Sequence, residues 1–533
     1  MTRFRPVLSL LVLLFLGSVA PPRASAQDAA EPQLVVLISI DQLRGDLLEV
    51  FRPAFDGGLA RLLDEGRVFP GASHAHAVTH TAAGHASLAT GVLPSRSGIV
   101  ANSWDQRTAE GWQEGLYAVE DPASPIVGAP DAEGRSPRNL LRGGLGDWIL
   151  AADPQAEVVS ISGKDRAAIT MAGRARGHVY WILPEQGRFV TSTWYRSSYP
   201  DWVQDYNDRV MPGLLADTVW ENRVADDLRP LARADEGVPY ENDGEHTVFP
   251  HLASQELDDP TDDVERWDWL LGQPSSDEAV LGLALRALDE LELGRRGPVD
   301  YLGLSFSSTD YVGHSYGPFS QEQLDNLVRL DGHLERLFAA LDEVVGEGRW
   351  VVGFSGDHGV MTIPEVMEER GEAGRRVIRS EYEELLGRAL EDARGLAEGD
   401  DHALAVELAR ILEVRGLVAD AYTHDELTHP AQADSFAVLY RNSHHPGRAH
   451  GPFSRFGVEV RFDYHELVSW PTGTTHGSPY WYDRSVPFVL LGAGVDPGLG
   501  ASGVKTVDMA PSLAAIAGIP APVDLDGRVL DGR

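Results

Sequence analysis

Six residues with oxygen or nitrogen donors stand near the ends of short apolar runs, where an open parallel sheet collects its functional groups. Asp41 follows Leu34–Ile40, Asp310 and His314 follow Tyr301–Phe306, and Asp357 and His358 follow Trp350–Phe354. His476 lies in the small-residue loop Gly473-Thr474-Thr475-His476-Gly477, ahead of the apolar run Val486–Leu491. Three Asp and three His make two sets of oxygen and nitrogen ligands, which suit zinc at about 2.0–2.2 Å. Each also has a plainer role open to it: an Asp at a strand end can cap a helix, Asp-His-Gly can be a turn, and His314 can be a satisfied core histidine. A second segment, Thr79-His80-Thr81-Ala82-Ala83-Gly84-His85-Ala86-Ser87, is rich in hydroxyls and precedes a helix-like stretch. A hydroxyl at a helix start sits beside free backbone N–H groups that favour an oxyanion, although an ordinary N-cap would use the same residue type. The histidines at 74, 76, 80 and 85 are read as structural.

The apolar runs are continuous rather than alternating, as in strands buried on both faces of a parallel sheet. Helical spacing lies between them. Leu324, Leu327, Leu330, Leu334, Leu337 and Leu341 form one apolar stripe over Gln321–Val345, and Leu281, Leu285 and Leu288 do the same over Glu278–Leu293. Strands alternating with helices predict an α/β fold. Two stretches break the rhythm, about 170–265 and about 362–465, and are read as insertions over the working edge of the sheet. The aromatic residues from Val179-Tyr180-Trp181 to Trp202 serve either to frame a leaving group or to pack.

Seven motifs occur in order: Ile40-Asp41-Gln42-Leu43-Arg44-Gly45-Asp46, Thr81-Ala82-Ala83-Gly84-His85, Asn102-Ser103-Trp104, Lys164-Asp165-Arg166, Asp310-Tyr311-Val312-Gly313-His314, Asp357-His358-Gly359 and Thr475-His476-Gly477. Together they resemble the alkaline phosphatase superfamily. More closely, they look like its threonine-nucleophile branch of exported phosphate monoesterases, the phosphate-irrepressible alkaline phosphatase type, related to type I phosphodiesterase/nucleotide pyrophosphatases. The resemblance implies an α/β/α sandwich with a mainly parallel sheet, two zinc ions per chain and phosphate monoesters as substrates. It implies Asp310, His314 and His476 as ligands of one zinc, and Asp41, Asp357, His358 and the Thr81 oxygen as ligands of the other. Thr81 would be the nucleophile, chosen over Thr79 for its place three residues before Gly84-His85. Asn102, Lys164 and Arg166 would hold the phosphoryl oxygens.

Lys164 and Arg166 bear on the substrate. A monoester presents up to two charges and three unsubstituted oxygens, and two cations at i and i+2 of an extended segment would reach one phosphoryl group together. Of 45 basic residues only Lys164 and Lys505 are lysines, so a lysine beside Arg166 stands out from the chain's habit. A phosphodiesterase or nucleotide pyrophosphatase on the same scaffold is the competing reading, and a catalytically silent exported zinc-binding protein a more distant one.

Composition narrows the rest. The chain has 533 residues, 43% hydrophobic, enough for a large core. Its 81 acidic residues leave a formal charge of −36, which argues against a polymeric nucleic-acid partner. There is no cysteine, hence no disulfide and no thiolate ligand. Arg3 and Arg5, an apolar stretch from Pro6 to Ala20 and Ala24-Ser25-Ala26 read as a removable export signal over 1–26. The expected mature chain, 27–533, is a single catalytic domain without a membrane span, most simply a monomer, in the periplasm or outside the cell.

Overall fold

Leu34–Ile40 (β1) is fully buried and serves both sides of a nine-stranded sheet. Leu34, Val36, Ile38 and Ile40 enter one hydrophobic cluster, while Val35 and Leu37 enter another. This is the strand alternation of period two, with apolar residues on both faces because both are covered. The computed structural model describes residues 31–214, 216, 218–429 and 434–532, and the export signal expected at 1–26 lies outside the described residues. Among the described residues no helix is long and apolar enough to cross a membrane.

The other strands of the sheet are Arg67–Val68 (β2), Val158–Ser162 (β3), His178–Leu183 (β4), Arg188–Val190 (β5), Asp300–Phe306 (β6), Trp350–Gly356 (β7), Phe488–Gly492 (β8) and Gly498–Leu499 (β9). Their order is β9-β2-β8-β7-β1-β6-β3-β4-β5. The five central strands, β7 to β4, run parallel. β8 pairs antiparallel with β7, and β5 antiparallel with β4. Helices cover both faces. The leucine stripe of Gln321–Leu341 packs into the first cluster, and Met509–Ile516 packs Met509 and Leu513 into the second.

Register positions the chemistry. Ile40 lies level with Phe306 on one side and Gly356 on the other, so Asp41 and Asp357 leave the sheet together, with the Asp310 helix beginning beside them. Ser305 lies level with Ser162, which brings Lys164 to the same edge. The Gly473–Gly477 loop reaches this edge for a different reason: β8 is antiparallel, so the residues before it emerge where the parallel strands end.

One feature differs from the sequence reading, and another settles an alternative it left open. β4 and β5 fall inside the stretch read as an insertion from about 170, so the sheet continues to residue 190. Tyr180 and Trp181 are buried sheet residues, and Trp202 packs edge-on to Tyr180 at 5.7 Å; these aromatics pack rather than line the catalytic edge. Their apolar run has the signature of the other buried strands, hidden by its aromatic content. Among the described residues between β7 and β8, none joins the central sheet. Helices Arg379–Ala397 and Asp401–Val414 there enclose a hydrophobic cluster of their own with Phe453 and Val458.

Candidate functional site

Thr81 opens the helix Thr81–Thr90 and is almost fully buried. Its Oγ1 lies 3.5 Å from His358 Nε2. The helix comes this close to the end of β7 because residue 84 is glycine: a Cβ there would lie 2.0 Å from the Asp357 carbonyl oxygen. Asn102 Oδ1 accepts the Ala82 backbone N–H at 2.9 Å, so what its side chain has left to offer a phosphoryl oxygen is the NH2 donor.

Asp310 and His314 share a face of the helix Ser308–Tyr316, one turn apart, with His314 Nε2 3.2 Å from Asp310 Oδ1. His476 Nε2 approaches the same oxygen at 3.7 Å, and these three residues form one group of converging donor atoms. Backbone carbonyls fix both imidazoles: His314 Nδ1 bonds Thr474 O at 2.8 Å and His476 Nδ1 bonds Thr79 O at 2.6 Å, leaving each Nε2 toward the site. Asp41, Asp310 and His358 form a second converging group. Asp310 therefore faces both groups. Asp357 is turned partly away: its Oδ1 accepts the Gln42 N–H at 3.0 Å, and its Oδ2 lies 3.1 Å from His85 Nδ1 and 3.4 Å from His358 Nε2.

The Lys164 ammonium bridges the groups, 2.7 Å from Asp41 Oδ2 and bonded to Asp310 Oδ2. An ammonium has three donors, so one remains beyond these two carboxylates. Lys164 is the last extended residue before the helix Asp165–Ala172, and Arg166 lies in its first turn, so the two cations meet at a strand–helix junction rather than along an extended segment. Arg166 is positioned by Tyr117, whose hydroxyl accepts from its guanidinium at 3.4 Å and donates to Asp165 at 2.5 Å; Arg135 holds the other Asp165 oxygen at 2.7 Å.

The electrostatics show a site short of positive charge. Burial, then repulsion from Asp310 and Asp357, holds the Asp41 carboxyl well above its usual range. Burial works against ionised Asp310 too, but Lys164 and His314 outweigh it and hold that carboxyl well below its ordinary value. Burial keeps the imidazoles of His358 and His476 below theirs, so both are neutral donors with a free lone pair. Asp41 Oδ1 is buried without a hydrogen-bond partner. An unpartnered carboxylate oxygen among neutral imidazoles is a donor set for a borderline divalent cation such as zinc. The residues present fit such a metal.

A cavity of about 980 Å3 opens over this edge, lined on one side by Asn102, His314 and His476 and on the other by Tyr440, Glu459, Phe462 and Trp470.

The family model described as Type I phosphodiesterase / nucleotide pyrophosphatase matches residues 35–477, a span holding every residue of this site. The chain belongs to this family. Among its relatives, alkaline phosphatase PhoV of Synechococcus elongatus is 28% identical, over 96% of this chain and 94% of the relative. Alkaline phosphatase PhoK of Sphingomonas sp is 30% identical, over 94% of this chain and 91% of the relative. The crystal structure of a mutant of alkaline phosphatase PafA superposes with a TM-score of 0.84 at 25% identity, covering 94% of this chain and 98% of that one. The fold of this phosphodiesterase-family chain is thus alkaline-phosphatase-like, as expected.

All ten residues singled out in the sequence lie at this one edge. Others were passed over. Gln42 adopts a left-handed backbone (φ 66°) and joins Asp357 through its N–H to Asp310 through its side chain, at 2.8 Å from Oδ1. It sat inside a quoted motif, but an amide carries no chemistry that would mark it. His85, read as structural, touches the Thr81 carbonyl at 2.8 Å, Ser305 at 2.9 Å and Asp357. Tyr117 and Asp165 had no sequence signal beyond Asp165 lying between the two cations.

Proposed function

We propose that this protein is an alkaline phosphatase that hydrolyses phosphate monoesters, with Thr81 as the nucleophile. The observation that carries the reading is the convergence of Thr81, two metal-suited donor groups and the cations Lys164 and Arg166 on one buried edge. The activity named for the PhoV, PhoK and PafA relatives supports it. Two zinc ions, one held by Asp310, His314 and His476 and one by Asp41, Asp357, His358 and Thr81, would stabilise the Thr81 alkoxide and the departing oxygen as Lewis acids.

The chain's own groups do the rest. Thr81 loses its proton to solvent and its Oγ1 attacks phosphorus in line, forming a phosphothreonine as the bond to the leaving alcohol breaks. The Lys164 ammonium, the Arg166 guanidinium and the Asn102 NH2 hold the unsubstituted oxygens through the transition state, which is where phosphoryl transfer gains most of its stabilisation. Water then cleaves the phosphothreonine, releasing phosphate and restoring Thr81. Three donors gathered on one phosphoryl group favour a monoester over a diester, whose second substituent would displace one of them. We further propose that residues 1–26 direct export and that the mature enzyme works outside the cytoplasm.

The test is a substrate panel on the mature, zinc-loaded protein. An aryl phosphate should turn over faster than its bis-aryl diester, Thr81→Ala should abolish turnover, and chelation should do so until zinc is restored. Strong diester preference would assign the chain to the diesterase reading instead.

A further inference from the structure

Away from the catalytic edge, His424, His444 and Glu459 each bring one ligand atom within 4.8 Å of the others. Three separate backbone segments hold them there. Glu459 lies on the strand Val458–Arg461, level with Tyr422 of the antiparallel strand Asp420–Thr423. His424 follows that second strand directly and is tied back by its backbone N–H to Gly457 O at 2.8 Å. His444 ends the helix Ser435–Ser443, its N–H bonded to Tyr440 O at 2.9 Å. The side chains are correspondingly close: His424 Nε2 is 3.1 Å from Glu459 Oε1, and the two imidazole rings are 4.2 Å apart.

Glu459 is also oriented from behind, because Ser454 Oγ donates to its Oε1 at 2.6 Å. Hydrogen bonds of that kind set the direction of a metal-ligating carboxylate. An ordinary ion pair between His424 and Glu459 needs no second imidazole, and would press an imidazolium against the His444 ring. Two neutral imidazoles and one carboxylate avoid that conflict by sharing a cation, a nitrogen and oxygen donor set that suits zinc. A cavity of about 600 Å3 lies beside the group, lined by His424, Ser454 and Gly457.

We propose that His424, His444 and Glu459 form a further metal site, separate from the catalytic groups, that takes zinc or a similar borderline divalent cation. Its role is structural. It ties the helix Ser435–Ser443 to the paired strands 420–423 and 458–461, and so braces a wall of the larger cavity, to which Tyr440 and Glu459 both contribute.

The experiment compares four forms of the full mature chain: wild type, His424→Gln/His444→Gln, Asp310→Ala/His314→Ala, and all four substitutions together. Each is stripped with chelator, reloaded with zinc, desalted and analysed for bound metal and for melting temperature. The His424→Gln/His444→Gln form should retain one zinc fewer than wild type. Zinc should raise the melting temperature of the Asp310→Ala/His314→Ala form, whose proposed site is intact, and this rise should be smaller in the quadruple variant, which keeps only the donors Asp41, Asp357, His358 and Thr81. Equal zinc content in the first pair, or an equal melting shift in the second, overturns the proposal. Failure of the catalytic metal assignment would show separately, as unchanged zinc in Asp310→Ala/His314→Ala.

Discussion

Lys164 Nζ lies 2.7 Å from Asp41 Oδ2 and also bonds Asp310, so a single ammonium is shared by carboxylates from two different groups of metal-suited donors. Burial alone would discharge it, but Asp310 and Asp41 hold its pKa above the ordinary lysine value. The cation proposed for the phosphoryl group is therefore held at the site by the same carboxylates that favour its charge.

Removing it should be costly in a selective way. Lys164→Ala and Arg166→Ala are each expected to lower kcat/KM for an aryl phosphate by about 10²–10³-fold, the usual loss for a donor aimed at transition-state charge. The same changes should cost less on a bis-aryl diester. Parallel kinetics on the two substrates check this, and equal losses would remove the monoester argument.

Gln42 tests the support beneath the site. Its side chain bonds Asp310 and its N–H bonds Asp357, without facing the substrate cavity. Gln42→Ala is expected to reduce activity or zinc affinity by about 10–100-fold, the range for groups that orient metal ligands. Added zinc should recover part of the activity. A variant with wild-type zinc affinity and turnover would show that Gln42 only fills space.

Gly84 tests the approach of helix to sheet. The Cβ of Gly84→Ala would lie 2.0 Å from the Asp357 carbonyl, where only backbone movement makes room. A loss of about 1–3 kcal/mol is expected from overpacking, together with reduced activity because Thr81 and Asp357 are pushed apart. Denaturant unfolding and initial rates measured together would separate the two effects.

His251 predicts a pH dependence remote from catalysis. Burial disfavours its charged form, but Glu256 at 3.1 Å and Glu322 at 3.4 Å outweigh this and push its pKa from 6.5 up to about 9. Burial dominates for the partner, leaving the Glu322 carboxyl above its usual value even beside His251. A folded-state pKa above the unfolded one gives a contribution complete below about pH 6.5 and lost as pH rises through 9. Its size is on the order of 3 kcal/mol. Unfolding midpoints from pH 6 to 10 should fall more steeply for wild type than for His251→Gln.

The parts legible in the sequence were those where one residue type carries the chemistry. Asp41, Asp310, Asp357 and the three histidines could be found because carboxylates and imidazoles recur near the predicted strands within motifs that occur in order, and the leucine stripe of Gln321–Leu341 because period decides the helix. The order of strands was not legible. That β8 runs antiparallel, and thereby delivers His476, depends on pairings between residues more than a hundred positions apart. Nor could the sequence show that Asp310 faces both donor groups or that Lys164 spans them, since both are outcomes of packing. Gln42, Tyr117 and His85 escaped because their work is to position others.

The placement of His476 by β8 also has a temporal side. Asp41 comes from the first strand of the described chain, while His476 arrives on the loop before one of the last. A chain emerging from the ribosome holds Asp41, then Asp310, then Asp357, and lacks the closing imidazole until residue 476 has been made. The Asp310–His314–His476 group cannot form before then, whatever its surroundings hold.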